Sequence, residues 1–144
     1  IATAMRGGIT APELADLELA YAPPFGSAKD PVNMLGYVAE NVVSGLSKVA
    51  QWHEIDEYRE NGYELLDVRS VEECGRGIIP GAINIPVDEI RGRYSELTNK
   101  NLLVNCQVGL RGHTGSMLLK ELGFNAVNLD GGYLTWINSP AAVN

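Results

Sequence analysis

Short apolar runs alternate with helix-like patterns along the chain from Val49 onward. Runs of four or five residues, rich in Leu, Ile and Val and bounded by Gly, Asn or Pro, are typical of buried parallel strands. They predict strands over 64–68, 82–85, 101–105 and 126–129, with helices over 53–60 and 113–122. Because strands that alternate with helices form a mainly parallel sheet covered on both faces, the pattern predicts a three-layer α/β fold.

The first 46 residues follow a different pattern, which predicts two helices joined by an irregular turn. The first begins after Thr10, with a proline in its first turn, and extends through Leu19. The second begins after Asp30 and carries an apolar stripe at three- and four-residue intervals: Met34, Tyr37, Val38, Val42 and Leu46. Two short helices cannot enclose a core. We therefore expect 1–46 to be a helical appendage of a domain at 47–144. Its apolar stripe would be covered either by a second copy of the chain, in a homodimer, or by folding back on its own domain.

Composition and charge narrow the classes of function. Of the 144 residues 45% are apolar, and the net charge of −7 argues against a nucleic-acid or acidic-membrane surface, both of which need a basic patch. No apolar run approaches the roughly 20 residues of a membrane helix, and the N-terminus lacks the layout of a secretory signal. The chain begins without Met, which suggests a piece of a longer protein. Its two cysteines are too few for a disulfide framework, so we expect reduced thiols and a cytoplasmic location.

One loop carries the candidate chemistry. Cys106 directly follows the strand predicted over 101–105, and a glycine-bearing loop and a helix come next. Open α/β sheets hold ligands at the carboxyl ends of their strands, and a loop that leads into a helix directs backbone N–H groups at a sulfur placed there. Arg111 adds a fixed positive charge. These surroundings favour the thiolate, so we expect Cys106 and Arg111 to be catalytic. The candidate substrate-binding residues surround them: Gln107, Val108, Gly109, Leu110 and Gly112.

The other cysteine and the two histidines are more simply interpreted as structural residues. Most free cysteines are buried and inert, and Cys74 fits that description. The two cysteines and the isolated His53 and His113 have no zinc-ligand spacing, so we expect no metal site. His113 lies next to the loop, where it could tune Cys106, although a structural role is the simpler interpretation.

Four motifs in order give the chain a recognisable resemblance. Residues 106–111 (CQVGLR) resemble the C-x-x-G-x-R active-site loop of rhodanese domains. Residues 67–69 (DVR), 77–86 (GIIPGAINIP) and 130–136 (DGGYLTW) resemble three further motifs of that family. One departure is that Ile78 stands where the family usually has histidine. The resemblance covers about 49–138 and implies a rhodanese-like fold.

The resemblance also implies an activity, sulfur transfer. Rhodanese domains carry sulfur as a cysteine persulfide, which here would form on Cys106 by attack on a small sulfane-sulfur donor. A thiol acceptor would then remove the sulfur, and Arg111 would stabilise the anionic persulfide or steer an anionic donor. Two alternatives remain: a dual-specificity phosphatase, whose loop has five residues between Cys and Arg where this chain has four, and a non-catalytic rhodanese-like binding module.

A second resemblance concerns the first unit. Residues 17–33 resemble the end of the dimerisation domain of coenzyme A-disulfide reductase flavoproteins, some of which end in a rhodanese domain. This implies a longer parent that uses FAD and NAD(P)H and acts on CoA disulfide or persulfide, with CoA as the thiol acceptor. No G-x-G-x-x-G lies between a strand and a helix here, so we expect no cofactor in this chain itself. Tyr21 could lie near a partner subunit's active site, although an interface aromatic is the simpler interpretation.

Overall fold

The computed structural model describes residues 1–20, 24–25 and 30–142. They form two compact units, 1–46 and 47–144. The helices are α1 (Ala2–Arg6), α2 (Pro31–Val43), α3 (Ile55–Glu60), α4 (Val71–Cys74), α5 (Ile90–Arg93), α6 (Leu110–Glu121) and α7 (Gly132–Ile137). The strands are β1 (Val49–Ala50), β2 (Glu64–Asp67), β3 (Ile83–Asn84), β4 (Asn101–Asn105) and β5 (Asn125–Leu129). Among the described residues, none of the helices is long and apolar enough to cross a bilayer.

The second unit contains one parallel sheet with the strand order β1-β5-β4-β2-β3. Strand β4 lies at its centre, where Leu103 pairs with Val127 of β5 on one side and with Leu65 of β2 on the other. All four predicted strands are present, the first ending one residue early, and the two-residue β1 is an addition. The predicted α/β fold with a parallel sheet is confirmed.

Apolar side chains pack on both faces of this sheet. One cluster includes Leu66, Val104 and Cys106 of the sheet region together with Leu119 of α6. The cluster on the other face includes Leu103 and Val127 together with residues of α3 and α7. Alternate residues of a strand point to opposite faces, so β4 contributes to both clusters. Cys106 therefore lies on the face that α6 covers.

The first unit differs from its predicted pattern. The helix expected from Thr10 through Leu19 is wrong: only a short 3₁₀ helix, Pro12–Asp16, forms there. The Asn33 side chain of α2 donates hydrogen bonds to the carbonyls of Leu14, Ala15 and Leu17, which therefore do not continue a helix. Nor does Thr10 cap it, because its hydroxyl and backbone N–H both donate to Glu13.

Helix α2 begins as predicted, with the Asp30 carboxylate accepting a hydrogen bond from the N–H of Val32 at 2.8 Å. Four residues of the predicted apolar stripe lie on α2, whereas Leu46 lies beyond the helix, which ends at Val43; all five are exposed, from 37% at Tyr37 to 54% at Val38. Tyr21, for which the sequence raised a role at a partner's active site, lies outside the described residues.

The exposure of the apolar stripe is compatible with self-association, which stays a prediction. We expect the chain to form a dimer through 1–46, because apolar patches of this kind are usually covered in a stable protein. Light scattering of the whole chain and of residues 47–144 alone measures this. A chain that stays monomeric at high concentration, or a dimer that survives the deletion, would contradict it.

Candidate active site

Cys106 lies directly beyond the carboxyl end of the central strand β4. The residue is almost fully buried, with 1% of its surface exposed. Its Sγ accepts a hydrogen bond from the backbone N–H of Gly109 at 3.1 Å. The loop therefore presents a hydrogen-bond donor to the one sulfur atom in the site that could act as a nucleophile.

The loop ends where α6 begins, at Leu110, three residues earlier than the predicted start at residue 113. Gly109 precedes the helix with φ of 108°, a value that favours glycine, and its carbonyl accepts from the N–H of His113 at 2.8 Å. The early start places Arg111 and the buried Gly112 in the first turn of the helix. The positive end of the helix dipole therefore lies next to the sulfur.

Helix α7 holds the other side of the loop. The N–H of Tyr133 donates to the carbonyl of Cys106 at 2.7 Å, and the N–H of Leu134 donates to the carbonyl of Gln107 at 3.0 Å. Two carbonyls of the loop therefore accept hydrogen bonds from the N-terminus of α7, which fixes the loop against that helix. Gly132 makes this approach possible, because a Cβ atom there would lie 2.3 Å from the Cys106 carbonyl oxygen.

Arg111 forms a two-pronged ion pair with Glu73. Its Nη1 and Nη2 donate to the two carboxylate oxygens at 2.7 and 2.6 Å. Glu73 belongs to α4, where its carboxylate also accepts from the backbone N–H of Ser70 at 3.1 Å, while its own N–H donates to the Ser70 hydroxyl. This reciprocal cap fixes the position of the carboxylate. The hydrogen bonds from Arg111 lower the pKa of Glu73 to about 2, so the pair stays ionised at neutral pH.

A second, buried ion pair lies under the loop. Arg69 is 2% exposed, and its guanidinium contacts both carboxylate oxygens of Asp67 at 2.7–3.0 Å. The guanidinium also stacks on the ring of Tyr133, 4.0 Å from the ring centre, and donates to the side-chain oxygen of Gln107 at 3.4 Å. Arg69 therefore connects the end of β2 both to the loop and to the helix that holds it.

The remaining predicted residues fall in two groups. Val108 and Leu110 are exposed at 58% and 71%, so their side chains face solvent while their backbone forms the loop. His113 does not enter the loop: its Nδ1 lies 3.1 Å from the Oγ of Ser47. Within the described part of the chain, no group of acidic, histidine or cysteine side chains could hold a metal ion.

Cys74 is half-buried at the end of α4. Burial, followed by the nearby charge of Asp67, raises the pKa of its thiol to about 11. The thiol therefore stays protonated at neutral pH, as the structural interpretation of Cys74 requires.

Sequence reasoning missed Glu73, and it named Arg69 only as part of the 67–69 motif, without a role at the site. The spacing of Ser70 and Glu73 is the signature of a helix cap, which could have placed Glu73 at a helix start. Nothing in the local sequence indicates its pairing with Arg111, 38 positions away.

A family model, the Rhodanese-like domain, matches residues 51–139. Human thiosulfate:glutathione sulfurtransferase is 38% identical over 89 residues, which cover 51% of this chain and 77% of that protein.

Two solved structures are similar over 94% of this chain. Reduced CoADR-RHD of Bacillus anthracis, a coenzyme A-disulfide reductase with a rhodanese domain, is 47% identical with a TM-score of 0.89. The NAD-dependent persulfide reductase of A. fulgidus is 40% identical with a TM-score of 0.81. The alignments cover 25% and 24% of those two chains, so this chain spans about a quarter of their length.

Proposed function

The chain belongs to the rhodanese-like domain family, and from that membership we propose that it transfers sulfane sulfur as a persulfide on Cys106. The observation that carries the proposal is the hydrogen bond from the Gly109 N–H to the Cys106 Sγ, in a loop that lies between the first turn of α6 and the N-terminus of α7. Such a loop suits an anionic sulfur that gains and loses one further sulfur atom.

Transfer takes two displacements at sulfur. The Cys106 thiolate attacks the outer sulfur of a donor; the new S–S bond forms as the donor's own bond to that sulfur breaks, and the leaving group departs with the electron pair. The thiolate of an acceptor then attacks the outer sulfur of the persulfide, and Cys106 leaves as a thiolate. The redox state of the enzyme is therefore unchanged over one cycle.

The charged and amide groups of the loop stabilise the persulfide in this scheme. In the proposed persulfide the N–H groups of 107–111 hold the negative outer sulfur, and Arg111, which interacts electrostatically with Cys106, contributes a positive charge. Gln107 is oriented by its hydrogen bond from Arg69.

We propose coenzyme A as the thiol acceptor, within a longer protein that reduces CoA disulfide or persulfide with FAD and NAD(P)H. The likeness to CoADR-RHD and to the persulfide reductase supports this. The flavin and the nicotinamide would be bound by the rest of that protein, and the transfer on Cys106 needs neither. A reaction on free thiols fits the reducing cytoplasm, where we place the protein.

The length of the loop favours sulfur transfer over phosphatase chemistry. Four residues separate Cys106 from Arg111, one fewer than in the phosphatase loop, and a shorter loop suits a sulfur atom better than a phosphate group. A binding module without activity has no need for a nucleophile, and here the cysteine has a hydrogen-bond donor aimed at it.

Intact-mass spectrometry tests the proposal. The chain is incubated with thiosulfate, polysulfide, glutathione persulfide or CoA persulfide, and we expect a gain of one sulfur atom that CoA then removes. Absence of any gain with all four donors would overturn the proposal.

Changing Arg111 to alanine is expected to slow sulfur loading about tenfold, because the persulfide and the thiolate lose a positive charge that interacts with Cys106. Alkylation of Cys106 by iodoacetamide at neutral pH should slow as well. The matched control is Arg91→Ala at an exposed position. If both variants load sulfur as fast as the parent chain, Arg111 has no part in the reaction.

A further inference from the structure

The charges nearest the Cys106 loop cancel in pairs. Arg111 is neutralised by Glu73, and Arg69 by Asp67. The pKa of Arg111 is raised, first by its hydrogen bonds to Glu73 and further by the negative charges of Glu73 and Cys106, so all three groups interact. A catalytic cysteine beside two arginines would strongly attract anions. With both arginines paired, that attraction is reduced.

Glu73 is held in place independently of Arg111. The reciprocal cap with Ser70 fixes its carboxylate at the start of α4, and Arg111 then reaches that fixed carboxylate from α6. The Arg111 and Glu73 side chains are 38% and 29% exposed, so water screens the pair in part. The position of the Arg111 guanidinium relative to the loop is therefore set by α4.

We propose that Glu73 is a specificity-determining residue of the Cys106 site: its carboxylate positions the Arg111 guanidinium and offsets its charge, which disfavours dianionic donors relative to donors without net charge. Glu73 does not touch the reacting sulfur and acts through Arg111.

The consequence for donors rests on the proposed sulfur transfer. Thiosulfate carries two negative charges, whereas a persulfide that bears an ammonium group, such as cysteamine persulfide, carries no net charge. With Glu73 present, the charge of Arg111 is offset, so the extra negative charge of thiosulfate does not strengthen its binding to the site. Removal of the carboxylate leaves Arg111 unpaired and should favour thiosulfate selectively.

Alkylation of Cys106 tests the electrostatic effect without any sulfur donor. Iodoacetate is an anion and iodoacetamide is neutral, and both react by attack of the thiolate on carbon with loss of iodide. The rate constant for iodoacetate divided by that for iodoacetamide, measured in a Cys74→Ser background, therefore reports the electrostatic potential at Cys106. In Glu73→Gln we expect the ratio to rise roughly three- to tenfold, because glutamine can still cap the helix but carries no charge.

Glu72→Gln is the matched control, since it removes the same charge from the neighbouring, exposed position of α4. Its ratio should stay within about twofold of the parent, because an exposed charge is well screened. Arg111→Gln tests the opposite change, because it leaves the Glu73 carboxylate unpaired. The ratio of iodoacetate to iodoacetamide rate constants should then fall below that of the parent. If Glu73→Gln does not fold, as judged by circular dichroism, a ratio in Arg111→Gln that fails to fall overturns the proposal. In folded Glu73→Gln, an unchanged or lower ratio, or one matched by Glu72→Gln, overturns it as well.

Donor kinetics complete the test. In Glu73→Gln we expect a several-fold lower KM for thiosulfate with little change in kcat, and no such decrease for cysteamine persulfide. Equal changes for both donors would contradict the specificity role. If neither donor loads Cys106 in any variant while the alkylation ratio still shifts, the electrostatic role of Glu73 stands and sulfur transfer is the part that fails.

Discussion

Cys106→Ser is expected to reduce sulfur loading to the uncatalysed background while the protein stays folded. A hydroxyl oxygen cannot form a persulfide, whereas it can still accept the hydrogen bond that the Gly109 N–H donates to Sγ. Because serine is close to cysteine in size, the buried site is not overfilled. Intact mass after incubation with a donor measures the loading, and thermal unfolding measures the fold.

Cys74→Ser is the control for this experiment, since its thiol has a raised pKa and lies outside the loop. We expect it to load sulfur at nearly the rate of the parent chain. Retained loading in Cys106→Ser, or its loss in Cys74→Ser alone, would show that the nucleophile has been assigned to the wrong residue.

Gly132→Ala is expected to have the largest effect on stability and to abolish sulfur loading as well. The residue has φ of 57°, and its added Cβ would lie 2.3 Å from the Cys106 carbonyl oxygen and 2.9 Å from the carbonyl carbon of Gln107. Both are backbone atoms of the loop, so relief of the clash must move α7 or the loop. We expect a loss of at least ~2 kcal/mol in the free energy of unfolding, measured by urea denaturation.

Gly123→Ala separates backbone strain from the clash. Gly123 also has a positive φ, 85°, but a Cβ there meets nothing within 4 Å. It should cost about 1 kcal/mol and leave sulfur loading intact. If Gly132→Ala costs no more than Gly123→Ala and still loads sulfur, the close contact between α7 and the loop does not hold the site together.

The parts of the fold that could be predicted from the sequence are those whose information is local. The strand over 101–105 is a continuous apolar run, and the cysteine and glycines that follow it are adjacent in the chain, so the position of Cys106 was predictable. The helix start at Leu110 was predicted three residues late. The sequence shows a glycine at position 109, which favours a turn. That its carbonyl accepts the first hydrogen bond of the helix is seen only in the structure.

The parts that could not be predicted depend on distant partners. Asn33 replaces the expected first helix by capturing the carbonyls of Leu14, Ala15 and Leu17, a contact that spans 16 to 19 positions. Arg69 is buried although arginine is usually exposed, because Asp67 and Tyr133 surround its guanidinium. No pattern of apolar and polar residues encodes these pairings. The Arg111–Glu73 ion pair was missed for the same reason, since 38 positions separate its two residues.

The backbone, rather than the side chains, carries most of the hydrogen bonds that shape the Cys106 loop. Amide and carbonyl groups exist whatever the residue, so the architecture of the loop is indifferent to the identity of positions 108 and 110, whose side chains point outward. Mutations there can accumulate without disturbing the nucleophile. Natural variation, or a small combinatorial library at these two positions, could therefore change which donors reach Cys106 while the hydrogen bonds that hold the loop stay the same.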